Sequence, residues 1–502
     1  MTLHECLGAA LFVPVAALLL RRLRFAPLWA VIVPLVAAGV FLGLLTIGLT
    51  LPQSAASALF IFAYIVIASE RVHKTKVALA GAAVMLVFGL IDQHTAFHGH
   101  EEVEGTDWNT IFLLIGMMVI VSITRHTGVF QWIAIKAAKL AKGSPVLIMV
   151  YLSIATAVLS AGLDNVTTVL LIAPVTILIC ESLRVDPVPF LIAVILSSNI
   201  GGTSTLIGDP PNIMIGSSAR IGFNDFLVIN GPVVLAILAV FLATIWFTFR
   251  KSLKVTPEQA AQVMEFDETR AITDKILLKR CLFVIGAVLL GFGLHGQLGL
   301  EPATIALAGA AALLLMPRAD PEETLKEVEW PTIFFFVGLF IMVSALVKTG
   351  VVRLVGQQII TMTCGEDISG GLDGGQRFAL TMGVLWFSAI ASGIVDNIPF
   401  VATMNAVIHD MAVNLHPDAA NADFFQIAHA PDILPLWWAL SLGACLGGNF
   451  TLVGASANVV VAGIAERSRH PLSFVRYLKY GIPITLQGII LSSIYLWFKF
   501  LR

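Results

Sequence analysis

The chain reads as an all-α, polytopic membrane protein made of inverted structural repeats, with re-entrant hairpins and broken transmembrane helices. Three observations predict this. Of its 502 residues 58% are hydrophobic and only 12% charged, with mean hydropathy +0.91, a composition of helices that face lipid. Short motifs recur in the same order in both halves. Acidic and amide residues also sit inside apolar runs, where a carboxylate costs roughly 2.5 to 3.5 kcal/mol even on lenient insertion scales. The net charge of −2 gives no attraction for nucleic acid. Five cysteines, Cys6, Cys180, Cys281, Cys364 and Cys445, are scattered without a CxxC and read as packing residues.

Taken in order, about 11 to 12 spanning helices are expected. Residues 1–54 read as N-terminal membrane helices. The run Leu7 to Leu20 precedes Arg21, Arg22 and Arg24, whereas a cleaved signal carries its charge before the apolar core, so a short spanning or interfacial helix is expected. Runs 27–51, 55–69 and 77–91 follow, and Arg71, Lys74 and Lys76 place the turn between the last two in the cytoplasm. The loop 92–107 holds His94, His98, His100, Glu101, Glu102 and Glu104 without a recognised ligand spacing, and reads as a solvated external loop. Run 109–124 returns inward, and 128–142 carries Lys136, Lys139 and Lys142 as a stripe suited to a cytoplasmic interface.

The pair Asp164-Asn165 then divides two apolar runs, 146–163 and onward to Cys180, as the tip of a re-entrant hairpin inside the membrane. Segment 188–215 contains Gly201-Gly202 and Asp209-Pro210-Pro211-Asn212, whose glycines and prolines must interrupt a helix and free backbone groups at membrane depth. Run 228–249 leads back to the charged loop 250–280, and residues 251–277 form a cytoplasmic linker between halves.

The second half repeats the first. Ala78-Leu79-Ala80-Gly81-Ala82-Ala83 recurs as Ala306-Leu307-Ala308-Gly309-Ala310-Ala311 (306 − 78 = 228). Trp108 to Phe112 recurs at Trp330 to Phe334, and Thr127-Gly128-Val129 at Thr349-Gly350-Val351 (349 − 127 = 222). Asp164-Asn165 returns as Asp396-Asn397 (396 − 164 = 232), and Gly201-Gly202 with Asn212 as Gly447-Gly448 with Asn458 (447 − 201 = 246). Charge placement inverts the halves: loop 364–376, with Glu366, Asp367 and Asp373, is acidic where 139–145 is basic, and Glu466, Arg467, Arg469 and His470 form a basic loop inside. Inverted repeats with broken helices point to a secondary transporter with its site where the repeats meet.

Leu163-Asp164-Asn165-Val166-Thr167-Thr168, Asn199-Ile200-Gly201-Gly202 and Ile207-Gly208-Asp209-Pro210-Pro211-Asn212 resemble the ion transporter superfamily, in its branch of arsenite permeases, sodium/proton antiporters and the melanosomal P protein. The resemblance runs from about residue 55 to the C-terminus and implies paired hairpins, two unwound helices and elevator-type alternating access in the cell membrane, usually as a homodimer. More distant sodium-coupled dicarboxylate transporters carry Ser-Asn-Thr at the hairpin tips, where this chain has Asp-Asn. On this reading repeat 1 is 55–250, with scaffold 55–124 and transport block 146–215. Repeat 2 is 278–502, with scaffold 278–347 and transport block 378–462.

The ion- or substrate-binding residues expected in the first repeat are Asn165, Thr167, Thr168, Asn199, Gly201, Gly202, Thr203, Thr205, Gly208 and Asn212. Those in the second are Asn397, Gly447, Gly448, Asn449, Thr451, Gly454, Ser456 and Asn458. Amide oxygens, hydroxyls and unwound carbonyls form an all-oxygen shell, suited to sodium or a proton as coupling ion with no cofactor. Asp164, Asp396 and Asp209 are the candidate proton carriers, with proton coupling expected mainly in Asp164 and Asp396 and a milder effect at Asp209. The structural alternative for the first two is capping of the second hairpin arms, which contributes roughly 0.3 to 1 kcal/mol, less than the burial cost. Asp209 faces Ala455 in the repeat and reads equally as a carrier or a helix-end cap. The expected function is an antiporter for a small inorganic ion, by sodium/proton exchange or arsenite extrusion. A sodium-coupled anion symporter and a gated anion channel are the alternatives. An intramembrane protease is set aside because GxGD is missing.

Overall fold

The structure is a computed structural model that describes residues 16–18, 20–22, 26–69, 71–98, 105–251, 253, 255–316, 320–365, 372–416 and 424–502. Cys6, most of the 7–20 run, Arg24, His100, Glu101, Glu102, Glu104, Glu366 and Asp367 lie outside these residues. Among the described residues every regular element is helical. Ten helices are at least 18 residues long and apolar enough to cross a membrane. Val188–Gly202, Pro302–Leu314 and Leu434–Gly447 are apolar but shorter. Proline opens Pro27–Thr46, Pro145–Gly162, Pro210–Ala219 and Pro302–Leu314, at the one helical position where its missing N–H costs nothing.

The expected repeat is present element by element. Hairpin 1 is Pro145–Gly162 and Asn165–Ser182, and hairpin 2 is Gly374–Ile394 and Asn397–Leu415. The first broken segment is Val188–Gly202 and Pro210–Ala219, and the second is Leu434–Gly447 and Ser456–Arg467. Segment 77–91 is shorter than its hydropathy suggests: the helix Lys74–Val87 has 14 residues, because Gly89 at φ +69° turns the chain and its N–H caps Leu86.

The described residues fall into two compact units, each drawing on both repeats. The first comprises residues up to Trp108, Glu329–Gly371 and Ala402–Asp423. In it, Lys74–Val87 packs backbone to backbone on Trp330–Lys348: a Cβ on Gly338 would lie 2.6 Å from the Ala78 carbonyl carbon. Arg353 of Val351–Cys364 meets Asp410 at 3.6 Å.

The second unit comprises Asn109–Val328, Leu372–Val401 and Phe424–Arg502. Here Gly116 of Trp108–Arg125 would place a Cβ 2.8 Å from the Ala306 carbonyl carbon. Both copies of the Ala-Leu-Ala-Gly-Ala-Ala face are therefore used for close helix contact inside the chain, each against a helix of the other repeat. Gly128 and Gly350 occupy the left-handed region, φ +77° and +79°, at the matching N-caps of Val129–Leu140 and Val351–Cys364. The linker carries its own helix, Pro257–Met264, and a 3₁₀ turn, Glu268–Ala271. Two lysines of the expected interfacial stripe are ion-paired with it, Lys136 at 3.3 Å and Lys139 at 2.5 Å from Glu268. Thr273 further bonds the Thr127 and His126 carbonyls.

Candidate functional site

Hairpin tips and breaks come together within the second unit. Each hairpin is stitched to the break of its own repeat by the same three contacts. Ser160 Oγ donates to the Ser198 carbonyl at 2.8 Å, and Ser392 Oγ to that of Ala444 at 2.7 Å. Thr205 Oγ1 donates to the Ala161 carbonyl at 2.5 Å, and Thr451 Oγ1 to that of Gly393 at 2.6 Å. A Cβ on Gly201 would lie 2.2 Å from the Ala157 oxygen, and one on Gly447 2.6 Å from that of Ala389. Glycine is needed at both places because backbone meets backbone.

The unwound strands of the two breaks also match. Gly202 and Gly208 approach each other so closely that a Cβ on either would lie 2.5 Å from the other's oxygen, and Gly448 with Gly454 repeats the approach at 3.3 and 2.9 Å. Asn212 Nδ2 satisfies the freed carbonyls of Gly202, Thr203 and Thr205 at 3.4, 3.3 and 2.9 Å. Asn458 Nδ2 does the same for Gly448 and Thr451 at 2.8 and 3.0 Å. The interruption of each helix thus frees carbonyls that an asparagine of the following helix satisfies.

The three aspartates are used differently. Asp164 accepts Thr167 N–H at 2.9 Å and the Thr167 hydroxyl, so it caps the helix it precedes. Asp396 accepts Ile398 N–H at 3.3 Å and Ser456 Oγ at 2.7 Å. Both are half-buried. Asp209 is 1% exposed and, although it stands at the N-cap of Pro210–Ala219, makes no side-chain cap. Its carboxylate instead accepts Asn165 Nδ2 at 3.2 Å on Oδ1 and Asn397 Nδ2 at 3.3 Å on Oδ2. One acid is thereby held by amides from both hairpin tips.

From Asn165 the network crosses between repeats. Asn165 Nδ2 also donates to Asn199 Oδ1 at 3.1 Å, and Asn199 Nδ2 donates to Asn449 and Asn458 Oδ1, both at 2.9 Å. Thr203 Oγ1 turns back to the Asn199 carbonyl at 2.7 Å. Thr168 is fully buried, but its hydroxyl has no partner and does not join the network. Three residues outside the expected set enter: Asn230, Ser441 and Cys445. Ser441 Oγ and Cys445 Sγ donate to Asn212 Oδ1 at 2.7 and 3.3 Å, and Asn230 Nδ2 donates to the Thr203 carbonyl at 3.1 Å. Cys445 occupies the repeat position of Asn199 (445 − 199 = 246), a signal the sequence carried. Among the described residues no group of histidine, cysteine and acidic side chains is placed to hold a metal ion.

A family profile described as "Citrate transporter" matches residues 64–443. The chain belongs to that family. Within the ion transporter superfamily its relatives include the 46 kDa membrane protein of Mycobacterium leprae, 44% identical over 88% of this chain and 97% of that protein. An uncharacterized transporter of Mycobacterium tuberculosis is 43% identical with the same coverage. The P protein of Mus musculus is 34% identical over 93% of this chain but 62% of its own length, as the motif resemblance anticipates. The YdaH transporter of Alcanivorax borkumensis shares the fold, with TM-score 0.53 and 11% identity over 85% of this chain and 97% of that one. Family and helices together make this a multi-pass membrane transporter.

Proposed function

We propose that this transporter is a cation-coupled antiporter in which Asp209 carries either a proton or a sodium ion. The observation that supports it is the Asp209 carboxylate, 1% exposed and bonded to Asn165 and Asn397 from the two hairpin tips. Two neutral amides do not offset the burial of a full negative charge. A proton or a sodium ion does, and each excludes the other. The loaded Asp209 site is then neutral in both directions, while the unloaded site keeps a buried charge that opposes its crossing. Exchange follows from that difference.

Asp164 and Asp396, spent on Thr167 and on Ile398 with Ser456, serve on this reading as electrostatic neighbours and caps rather than as the carrier. On this reading 146–215 and 378–462 move as one elevator block against scaffold segments 55–124 and 278–347, in a homodimer; the stitches support only that each hairpin tip moves with the break of its own repeat. Arsenite as a neutral hydroxide would use the same amides and hydroxyls.

The family description favours a second reading, sodium-coupled symport of a carboxylate. Asp209 would repel such an anion by about 3 kcal/mol at roughly 6 Å and effective dielectric near 20, so that reading requires bound cations. Proteoliposomes with imposed sodium and pH gradients, assayed for proton, sodium, arsenite and citrate flux, separate the readings. Sodium-driven proton flux that Asp209→Asn removes is the expected result; citrate uptake without counter-flow of protons would replace antiport by symport.

A further inference from the structure

Asn230 lies on Phe223–Phe249, a helix outside both hairpins and both breaks, and is fully buried. Its two amide hydrogens are both committed, one to the Thr203 carbonyl at 3.1 Å and one to Ser441 Oγ at 2.9 Å. Ser441 in turn gives its only hydrogen to Asn212 Oδ1 at 2.7 Å. Donor direction is therefore fixed along the whole chain from Asn230 to Asn212. A flip of the Asn230 amide would set its oxygen against the Thr203 oxygen. The one end left over is Asn230 Oδ1, a buried acceptor with no donor.

The second repeat has nothing equivalent. Phe474–Leu496 is the counterpart helix, beginning 251 residues later (474 − 223), so Asn230 corresponds to Gly481 (481 − 230 = 251). There the glycine backbone itself approaches the second break: a Cβ would lie 2.5 Å from the Asn449 oxygen, and Asn449 is the counterpart of Thr203 (449 − 203 = 246). Asn230 against Gly481 is thus an asymmetry like that of Asp209 against Ala455: Asp209 lies in the first break, and Asn230 bonds the Thr203 carbonyl of that break from a neighbouring helix.

We propose that Asn230 is a specificity-determining residue, whose Oδ1 contributes an oxygen to the shell of the sodium ion bound at the first break. This rests on the antiport reading above. A proton needs one acceptor, which Asp209 provides, whereas sodium needs several oxygens. Asn230 accordingly sets sodium affinity and leaves proton affinity alone.

The test uses the purified full-length chain, with thermal unfolding followed against sodium chloride at constant ionic strength in choline chloride. Asn230→Leu raises the sodium concentration for half-maximal stabilisation at least about tenfold, the effect of losing one bond to a charged group. Its proton-binding midpoint without sodium stays at the wild-type value. Ser441→Ala breaks the hydrogen-bond chain but keeps Oδ1, and costs far less sodium affinity. If Asn230→Leu does not fold, Asn230→Gly, which copies Gly481, gives the same reading. Unchanged sodium dependence in the folded variant, or a loss equalled by Ser441→Ala, would make Asn230 a stitch and overturn the proposal. Sodium stabilisation that survives Asp209→Asn would instead bring down the antiport reading beneath it.

Discussion

The two breaks share a backbone and differ in their side chains. Asp209 and Ala455 have nearly the same conformation, φ −144°, ψ 131° and φ −145°, ψ 145°. The serine and threonine stitches recur to 0.1 Å (2.8 against 2.7 Å and 2.5 against 2.6 Å), while the glycine contacts and the Asn212 and Asn458 clasps recur in kind with looser spacing. The copies part at Asp209 against Ala455, Cys445 against Asn199 and Asn230 against Gly481, and also at Thr203 against Asn449 and Ser441 against Ile195. What both copies keep joins each hairpin to its break, and the buried acid Asp209 is kept by only one.

The comparison predicts unequal effects at unequal positions and equal effects at shared ones. The largest is at the acid: Asp209→Asn reduces sodium/proton exchange to background in proteoliposomes, since nothing else at the centre binds a proton at comparable burial. Asp164→Asn and Asp396→Asn keep measurable exchange. Moving the acid sharpens the point. In Asp209→Ala with Ala455→Asp, part of the exchange returns if the backbone alone positions the acid; none returns if Asn230 and Cys445 are also required.

Next come the backbone contacts. Gly201→Ala and Gly447→Ala each force a helix away from its hairpin and destabilise by about 1 to 3 kcal/mol, read as lost thermal stability. The two losses should agree; a large loss at Gly201 alone would mean that the second break is not packed like the first. Smaller again are Thr205→Val and Thr451→Val, each removing one hydrogen bond for about 1 kcal/mol. Equal shifts in unfolding temperature are expected.

The smallest effect lies at the linker. Lys139 and Lys136 hold the Glu268 carboxyl down at about 2, below its ordinary 4.5. A lowered value means that the attraction is present above the ordinary range and lost as pH falls through about 2. Protease cleavage near Arg270 should therefore stay slow across mildly acidic pH, and Glu268→Gln should accelerate it at neutral pH. Equal cleavage of both forms would show that the linker is held by the Thr273 hydrogen bonds without the ion pairs.

Much of this was legible in the sequence because polar and glycine residues stand out in apolar runs. Asp164-Asn165, Gly201-Gly202, Asn212 and their repeats announced hairpins and breaks, and spacing located them to within a few residues. Burial in apolar runs and repetition rank Asp164 and Asp396 above Asp209 as carriers, and the reverse order taken by the proposal is not legible in the sequence. All three precede a helix, and only side-chain direction separates Asp164, turned to Thr167 N–H, from Asp209, turned to two amides. Asn230 recurs nowhere in the second half, so the repeat does not mark it. Cys445 reads as packing because a lone thiol in an apolar helix usually is, whereas its Sγ donates to Asn212 Oδ1. The ion pairs of Lys136 and Lys139 are not legible in the sequence because their partner, Glu268, is more than a hundred residues away.

Proton release on sodium binding is the most direct test of Asp209 as the carrier. Purified protein in weakly buffered solution at a pH where Asp209 is protonated should acidify the medium when sodium chloride, but not choline chloride, is added. Asp209→Asn should abolish that release while Asp164→Asn and Asp396→Asn retain it. Release that persists in Asp209→Asn and disappears in either hairpin variant would contradict the account and move the exchangeable charge to the hairpin tips.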